Sequence, residues 1–253
     1  MTNPGELSPL DHEIAILLRR KQPDYRFEPI EKYSALGDKT FVATIGPTAS
    51  GKKTLTNEVI RLAPEFTPNG KRMTRSRRPT DPHNFQTANE GITHQSMNND
   101  VINHSLVNYS VLDTGHIYGT APEAIGQFAI GPILSDSVDN LMTASFKDFY
   151  PIFTVARGAL YQQRLENERL QLPDIRQRLV EAMGSLTFAR LNVEEPWLSC
   201  VDTGDSPEEL TVAADAVIRN VYHRTHPVMT TKHTLQLLDE MEKAVQNVGR
   251  QLR

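Results

Sequence analysis

A glycine-rich loop between a strand-like run and a helical run constrains this chain more than any other feature. Residues 46–54 read GPTASGKKT, which contains the spacing G-x-x-x-x-G-K. The preceding residues 41–45 are rich in β-branched and aromatic side chains, and Leu55, Val59 and Ile60 follow at helical spacing. Such a loop points backbone N–H groups and a helix N-terminus at a chain of phosphates. The pattern predicts a strand–loop–helix unit that binds a nucleoside triphosphate, with a non-binding glycine turn as the alternative.

The lysines of the loop carry the expected chemistry. Lys52 would reach the β- and γ-phosphates and offset negative charge during phosphoryl transfer. The next residue in such loops is ordinarily Ser or Thr, whose hydroxyl ligates Mg²⁺, but here it is Lys53. Lys53 would replace part of the metal's charge, or point away while Thr54 ligates Mg²⁺, or mark an enzyme that has lost activity. ATP and Mg²⁺ are the expected cofactors, and the predicted phosphate-binding set is Gly46, Thr48, Ala49, Ser50, Gly51, Lys52, Lys53 and Thr54.

The alternation of strand and helix patterns predicts the fold class. Strand-like runs at residues 131–134, 151–155 and 197–201 alternate with helical stretches at about 158–169 and 173–187. A capping-box pattern at residues 206–209 starts a further helix. This order predicts an α/β fold of the P-loop kinase type, in which a parallel sheet has helices on both faces.

Two further helices are predicted outside this fold, as N- and C-terminal extensions. The first would begin at Ser8 and Pro9, stop at Pro23, and have an apolar face of Leu10, Ile14, Leu17 and Leu18. The second would span about 231–253 with an apolar face of Leu238, Met241, Val245, Val248 and Leu252. We expect both to pack on the chain itself, with a homodimer contact through terminal helices as the alternative.

The predicted domain division follows from these patterns. Residues 1–39 form an N-terminal helical extension, residues 40–222 form the P-loop domain, and residues 223–253 form a C-terminal amphipathic helix. The formal net charge is −4, and the only cysteine is Cys200, which cannot form an internal disulfide. No apolar run approaches ~18 residues, and the N-terminus lacks a signal pattern. We therefore expect a soluble cytoplasmic protein, with neither a membrane nor a nucleic acid as its partner.

A basic segment is the candidate for holding a phosphorylated acceptor. Residues 71–78 contain five cations in eight residues, and guanidinium groups hold phosphates in a bidentate manner. The alternatives are a solvated basic loop and a nucleic-acid patch, but the segment lacks interleaved aromatics and the chain is acidic overall. Residues 115–120, GHIYGT, would add a phenol and a hydroxyl beside flexible glycines, with an ordinary turn as the alternative.

Together these segments resemble the guanylate kinase family, in the family's order. Residues 46–55 look like its G-P-S-G-x-G-K-S-T-L loop, and residues 74–79 look like its T-T-R-x-x-R-P stretch. Residues 115–120 are similar to G-N-Y-Y-G-T, and residues 121–125 fit the segment that follows. Residues 164–166 and 176–179 look like the lid and post-lid arginines. The resemblance covers about residues 40–222 and leaves both terminal helices outside.

The resemblance implies roles for several residues. Arg75, Arg78 and Tyr118 would hold the acceptor's monophosphate. The residues expected to be catalytic, by binding the transferring phosphoryl group or closing over it, are Lys52, Arg164, Arg169 and Arg178.

The positions that read guanine in that family differ here. Lys71 stands where the family has a serine, and Tyr109 stands where it has its guanine-reading glutamate. Tyr109 would stack on a base or ribose, or fill the space. Residues 133–137 lack the family's two acids, although a one-residue slip would bring Asp136 near the site, and Thr120 is the base-side hydroxyl that remains. These residues complete the expected acceptor site, but guanine selectivity is not expected.

The expected function is phosphoryl transfer from ATP to a nucleoside monophosphate or a related phosphorylated small molecule. An alternative is a sugar-phosphate kinase. The ribose 1,5-bisphosphate kinases of phosphonate metabolism look similar to guanylate kinases but also lack the residues that read guanine. They also lack the Ser that follows the loop lysine and keep a hydroxyl one residue later, which resembles Lys53 and Thr54 here. A second class is a degenerate binding module without turnover, which would use the acceptor site to hold a protein partner.

Overall fold

A five-stranded parallel sheet places the glycine-rich loop at the end of its central strand. Its strands are β1 (Thr40–Ile45), β2 (Phe66–Pro68), β6 (Phe128–Pro132), β7 (Asp148–Val155) and β8 (Ser199–Asp202). Their order across the sheet is β2-β6-β1-β7-β8. β1 is buried along its whole length, as its apolar sequence predicts. Helices flank the sheet, so the predicted α/β class is confirmed.

The computed structural model describes residues 7–27, 36–78, 81, 83–112, 114–167, 172–223 and 229–251, without the side chains of residues 172–174. Contacts divide the chain into two compact units. The first unit comprises Met1–Thr40, Pro68–Ala129 and Asp136–Asp148, and the second comprises Phe41–Thr67, Ile130–Ser135 and Phe149–Arg253. The glycine-rich loop therefore belongs to the second unit, and the basic segment 71–78 belongs to the first.

The described helices of the second unit pack against one another in two groups. α2 (Lys52–Leu62) begins inside the loop and packs against α7 (Pro207–His223). α8 (Thr231–Arg250) packs against α5 (Gly158–Asn167) and α6 (Leu172–Asn192). The predicted apolar face of α8 is confirmed at Leu238, Met241, Val245 and Val248, which are all buried. Leu252 lies outside the described residues.

The first unit is built on a small antiparallel sheet that the sequence patterns did not predict. Its strands are β3 (Arg72–Met73), β4 (Asn108–Val111) and β5 (Ile117–Thr120), in the order β3-β5-β4. The paired residues across β4 and β5 include Tyr109 with Gly119 and Ser110 with Tyr118. Two helices, α1 (Pro9–Lys21) and α3 (His94–Ile102), pack on each other and on this sheet. A short helix, α4 (Val138–Thr143), follows β6 in the chain.

The N-terminal helix α1 begins where its capping signal predicts. The side chain of Ser8 accepts a hydrogen bond from the backbone N–H of Asp11, and Pro9 is the first helical residue. Ile14 and Leu18 are buried as predicted, but Leu10 and Leu17 are 59% and 44% exposed. The predicted face was therefore wrong by part of a turn: the buried stripe is centred on Ile14, Ala15 and Leu18, which places Leu10 and Leu17 along its outer edge.

Candidate active site

Two glycines give the loop a shape that no other residue would allow. Gly46 and Gly51 have φ angles of 142° and 89°, a region that L-residues with side chains rarely adopt. A Cβ atom at Gly46 would lie 2.6 Å from Oγ1 of Thr154, and one at Gly51 would lie 2.8 Å from Oγ1 of Thr203. The close approach of neighbouring strands and the backbone conformation both require glycine at these positions.

The ammonium group of Lys52 lies inside the loop. Its Nζ donates to the carbonyl oxygens of Gly46 and Pro47, at 2.6 Å each. Neutral carbonyls are weaker partners for an ammonium than anionic oxygens are. Lys53 and Thr54 are exposed in the first turn of α2. The structure thus keeps a cation in the loop and a hydroxyl at the adjacent helix N-terminus.

Buried hydroxyl contacts hold the loop in place. Oγ of Ser50 lies 2.6 Å from Oγ1 of Thr154, which itself donates to the carbonyl of Ile45. On the other side, Oγ1 of Thr203 donates to the carbonyl of Ser50 at 3.1 Å. The Ser50 hydroxyl, predicted to be near phosphates, is fully buried and serves the fold. Thr203 was not among the predicted site residues, and its only signal in the sequence is its place just after β8.

Two of the three predicted arginines contact the loop or its support. Nη1 of Arg178, on α6, donates to Oγ1 of Thr48 at 3.0 Å. Arg164, on α5, donates to Oγ1 of Thr203 at 3.1 Å and to the carbonyl of Gly204 at 2.8 Å. Burial lowers the pKa of the Arg164 guanidinium. Arg169 lies outside the described residues.

In the first unit, strand alternation separates two faces of the small sheet. Residues directly opposite each other on paired strands point to the same face. Asn108 and Ser110 of β4 therefore share a face with Thr120 and Tyr118 of β5, and we call this the polar face. Of these four residues Tyr118 is half-buried and Thr120 is only 1% exposed. Tyr109 belongs to the opposite face, which α1 and α3 cover.

Arg75 is held beside the polar face by Tyr118, by Asp81 and by the carbonyl of Ser76. Its Nε donates to the hydroxyl of Tyr118 at 2.7 Å, which brings together two residues predicted to hold the acceptor's phosphate. Its Nη1 and Nη2 donate to the two carboxylate oxygens of Asp81, at 2.7 and 2.9 Å. Asp81 also accepts from the backbone N–H of Arg78, while the Arg78 residue is exposed. The hydrogen bonds from Arg75 hold the pKa of Asp81 below its usual range, so the carboxylate is ionised.

Tyr109 lies in the core of the first unit. It is fully buried, its hydroxyl donates to the carbonyl of Leu18 at 2.8 Å, and its ring meets Tyr25 edge-on at 4.8 Å between centroids. Burial raises the pKa of the Tyr109 phenol. Of the two roles considered for this residue, stacking and filling space, the structure places it in the second.

Asp136 lies at the polar face within a small polar network. Its Oδ2 accepts from Nε2 of Gln22 at 2.5 Å, and its Oδ1 accepts from the hydroxyls of Ser110 and Ser137 at 3.4 Å each. Part of the residue remains exposed to solvent, yet desolvation by surrounding protein atoms raises the pKa of its carboxyl group. Alternation along β4 could have indicated Ser110. Nothing in the sequence indicated Gln22, which lies 114 residues from Asp136.

Lys71 lies next to β3 and is half-buried, and its carbonyl accepts from the backbone N–H of Gln86.

Among the described residues, no group of three or more His, Cys, Asp or Glu side chains could hold a metal ion. Among the helices that the structure describes, none is both long enough and apolar enough to cross a membrane.

Known proteins resemble this chain in structure but not in sequence. No family model matches the sequence, and no curated protein matches it either. The chain is similar in structure to guanylate kinase from Anaplasma phagocytophilum, with a TM-score of 0.48 and 12% sequence identity. The match covers 78% of this chain and 89% of that chain. At this identity, the likeness transfers neither an activity nor a substrate.

Proposed function

We propose that this chain is an ATP-dependent kinase that transfers a phosphoryl group to a nucleoside monophosphate or a related phosphorylated small molecule. The observation that carries the proposal is the position of Lys52, whose ammonium lies inside the glycine-rich loop on the carbonyls of Gly46 and Pro47. A loop of this shape binds phosphates through its backbone N–H groups, and its lysine contacts the β- and γ-phosphates.

The residues around the loop supply further positive charge. Arg178 reaches the loop at Thr48, and Arg164 reaches the support of the loop at Thr203. Phosphoryl transfer needs little covalent chemistry from the protein, so positioning and charge stabilisation account for most of its catalysis. Mg²⁺, bound with ATP, would neutralise phosphate charge when present, and the Thr54 hydroxyl is the loop's candidate ligand for it. Lys53 takes the place of the usual hydroxyl and adds a cation to the same helix turn.

On the acceptor side, the proposal assigns the phosphate to Arg75, Arg78 and Tyr118. Nε of Arg75 donates a hydrogen bond to the phenol oxygen of Tyr118 at 2.7 Å, so these two side chains already lie together. Asp136 would accept a hydrogen bond from the rest of the acceptor. Because Tyr109 is buried in the core, this chain has no glutamate or exposed phenol at the family's guanine-reading position. The acceptor is therefore not expected to be read as guanine, and a sugar phosphate is as suitable as a nucleotide.

The test is ADP release from ATP and Mg²⁺, with acceptors supplied one at a time. The panel contains the ribo- and deoxynucleoside monophosphates and ribose 1,5-bisphosphate, and Lys52→Ala is the control. Acceptor-dependent ADP release that is lost in Lys52→Ala supports the proposal and names the substrate class. ADP release that is the same with and without every acceptor would contradict it.

A binding module without turnover is the second candidate function. Two observations favour it: Lys53 replaces the usual Mg²⁺ hydroxyl, and the Asp81 carboxylate occupies the two nitrogens of Arg75 that a phosphate would use. Measurable ATP binding without ADP release for any acceptor would favour this candidate over the kinase.

A further inference from the structure

The turn that follows α1 contacts the polar face through a glutamine side chain. Gln22 follows α1 in a short 3-10 turn and is 8% exposed. Its Nε2 donates to Oδ2 of Asp136 at 2.5 Å, and its Oε1 accepts from the backbone N–H of Val111 at 3.0 Å. Because both ends of the amide are engaged, the orientation of the Gln22 side chain is fixed, and so is the carboxylate oxygen that it contacts.

The two oxygens of the Asp136 carboxylate are held differently. Oδ2 has the short contact with Gln22, whereas the hydroxyl contacts of Oδ1, with Ser110 and Ser137, are long, at 3.4 Å each. The hydroxyls of Ser110 and Ser137 lie 2.7 Å apart and therefore bond mainly to each other. Because Asp136 is exposed and these contacts of Oδ1 are long, Oδ1 has capacity left for a further donor.

We propose that Gln22 is a positioning residue of the acceptor site: it holds Asp136 by Oδ2 so that Oδ1 receives a hydrogen-bond donor of the acceptor. This inference rests on the proposed kinase function and deepens it. The N-terminal helix is then part of the substrate site rather than an appendage. The acceptor must carry an N–H or O–H group apart from its phosphate, as a nucleobase amine or a sugar hydroxyl does.

Other contacts keep the segment after α1 in place when Gln22 is changed. The hydroxyl of Tyr25 donates to the carbonyl of Leu106 at 2.6 Å, and Nη1 of Arg26 donates to Oδ1 of Asn140 at 3.0 Å. Tyr109 also bonds to the carbonyl of Leu18. Substitution of Gln22 is thus expected to leave the fold of the first unit intact.

Two substitutions distinguish the contact of Gln22 with Asp136 from its contact with the backbone N–H of Val111. Gln22→Met removes both hydrogen bonds of the amide. Gln22→Glu keeps an oxygen for the N–H of Val111 but places a carboxylate, without a donor, against Asp136. Both variants are expected to raise KM for the acceptor about ten-fold, with kcat and KM for ATP within about two-fold, because a hydrogen bond to a charged group is lost. The matched control is Gln236→Met, which removes a glutamine–carboxylate bond of 3.2 Å to Glu240 on α8 and is expected to leave both KM values unchanged.

A double-mutant cycle with Asp136→Asn tests whether Gln22 acts through Asp136. If it does, Gln22→Met adds less than about two-fold to KM for the acceptor in the Asp136→Asn background. An unchanged KM in Gln22→Met, additive effects in the cycle, or recovery of wild-type KM in Gln22→Glu would each overturn the inference while the kinase stands. Absence of acceptor-dependent turnover in the wild-type protein would instead overturn the proposed function, and this inference with it.

Discussion

The guanidinium of Arg178 donates a hydrogen bond to the hydroxyl of Thr48 across 130 residues of sequence. Through this contact, α6 of the second unit is hydrogen-bonded to the glycine-rich loop at the side chain of Thr48. The arginine therefore reaches the place where the proposed function needs charge, within the one unit that contains the loop, α5 and α6.

Arg178→Ala is expected to lower kcat about 100-fold while KM for ATP changes less than about three-fold. The reason is that a guanidinium contributes most when charge develops on the transferring group. Steady-state kinetics measure both constants, and Arg176→Ala, an exposed arginine on the same helix, is the control. Equal effects of the two substitutions would show that Arg178 has no special role.

Asp81→Asn is expected to lower KM for the acceptor several-fold. The Asp81 carboxylate occupies both terminal nitrogens of Arg75, and both side chains are about 10% exposed or less. An acceptor phosphate must displace this carboxylate, and a neutral amide of the same size competes less for the guanidinium. Asp100→Asn, which loosens the ion pair with Arg72, is the control. A higher KM in Asp81→Asn would mean that Asp81 orients Arg75 for binding rather than competing with the phosphate.

Tyr109→Phe is expected to lower stability and leave KM for the acceptor unchanged, whereas Tyr118→Phe is expected to raise KM and leave stability nearly unchanged. Tyr109→Phe removes one of the two donors to the Leu18 carbonyl, which also accepts from the backbone N–H of Gln22, so it costs about 0.5–1.5 kcal/mol of stability, and KM for the acceptor stays within about two-fold. Tyr118→Phe removes the partner of Arg75 at the polar face, so it raises KM with little loss of stability. Urea unfolding and steady-state kinetics on both variants check the pair. A large rise in KM for Tyr109→Phe would return that residue to the acceptor site.

Ala49→Gly is expected to stabilise the protein by up to about 1 kcal/mol. Ala49 has a φ of 62°, a left-handed conformation that glycine adopts without a steric penalty. Ala159→Gly is the control, because Ala159 is exposed in α5 and glycine destabilises a helix by up to about 1 kcal/mol. Thermal unfolding of both variants gives the comparison. A lower midpoint for Ala49→Gly would show that strain at this position does not limit stability.

The elements that local patterns specify were predictable. The strand before the loop, the helix after it and the cap at Ser8 depend on residues within a few positions of one another, and the structure has all three. The small antiparallel sheet was missed because β3 has two residues and β4 and β5 have four, too few for a clear alternation. The exposure of Leu10 and Leu17 depends on the angle at which α1 meets its neighbours, which helical periodicity does not contain.

The site divides in the same way. The spacing of the loop indicated Lys52, but not that Thr203 supports the loop from a strand end 153 residues away. The sequence suggested Tyr109 as an acceptor-binding residue, because it stands where guanylate kinases have their guanine-reading glutamate. Its burial could not be predicted, because it depends on the helices that cover its face of the sheet. The link between Gln22 and Asp136 joins the N-terminal helix to a residue after β6, and no local signal in either segment indicates the other.

The central claim is that the chain transfers the γ-phosphoryl group of ATP to a phosphorylated small molecule. The most direct measurement follows the label of γ-³²P-ATP in the presence of the best acceptor, for the wild-type protein and Lys52→Ala. Lys243→Ala is the control, because Lys243 is an exposed lysine on α8. The account predicts label on the acceptor with the wild type and Lys243→Ala, and at least about 100-fold less with Lys52→Ala. Label that stays on ATP, or appears only as inorganic phosphate in all three proteins, would contradict the account.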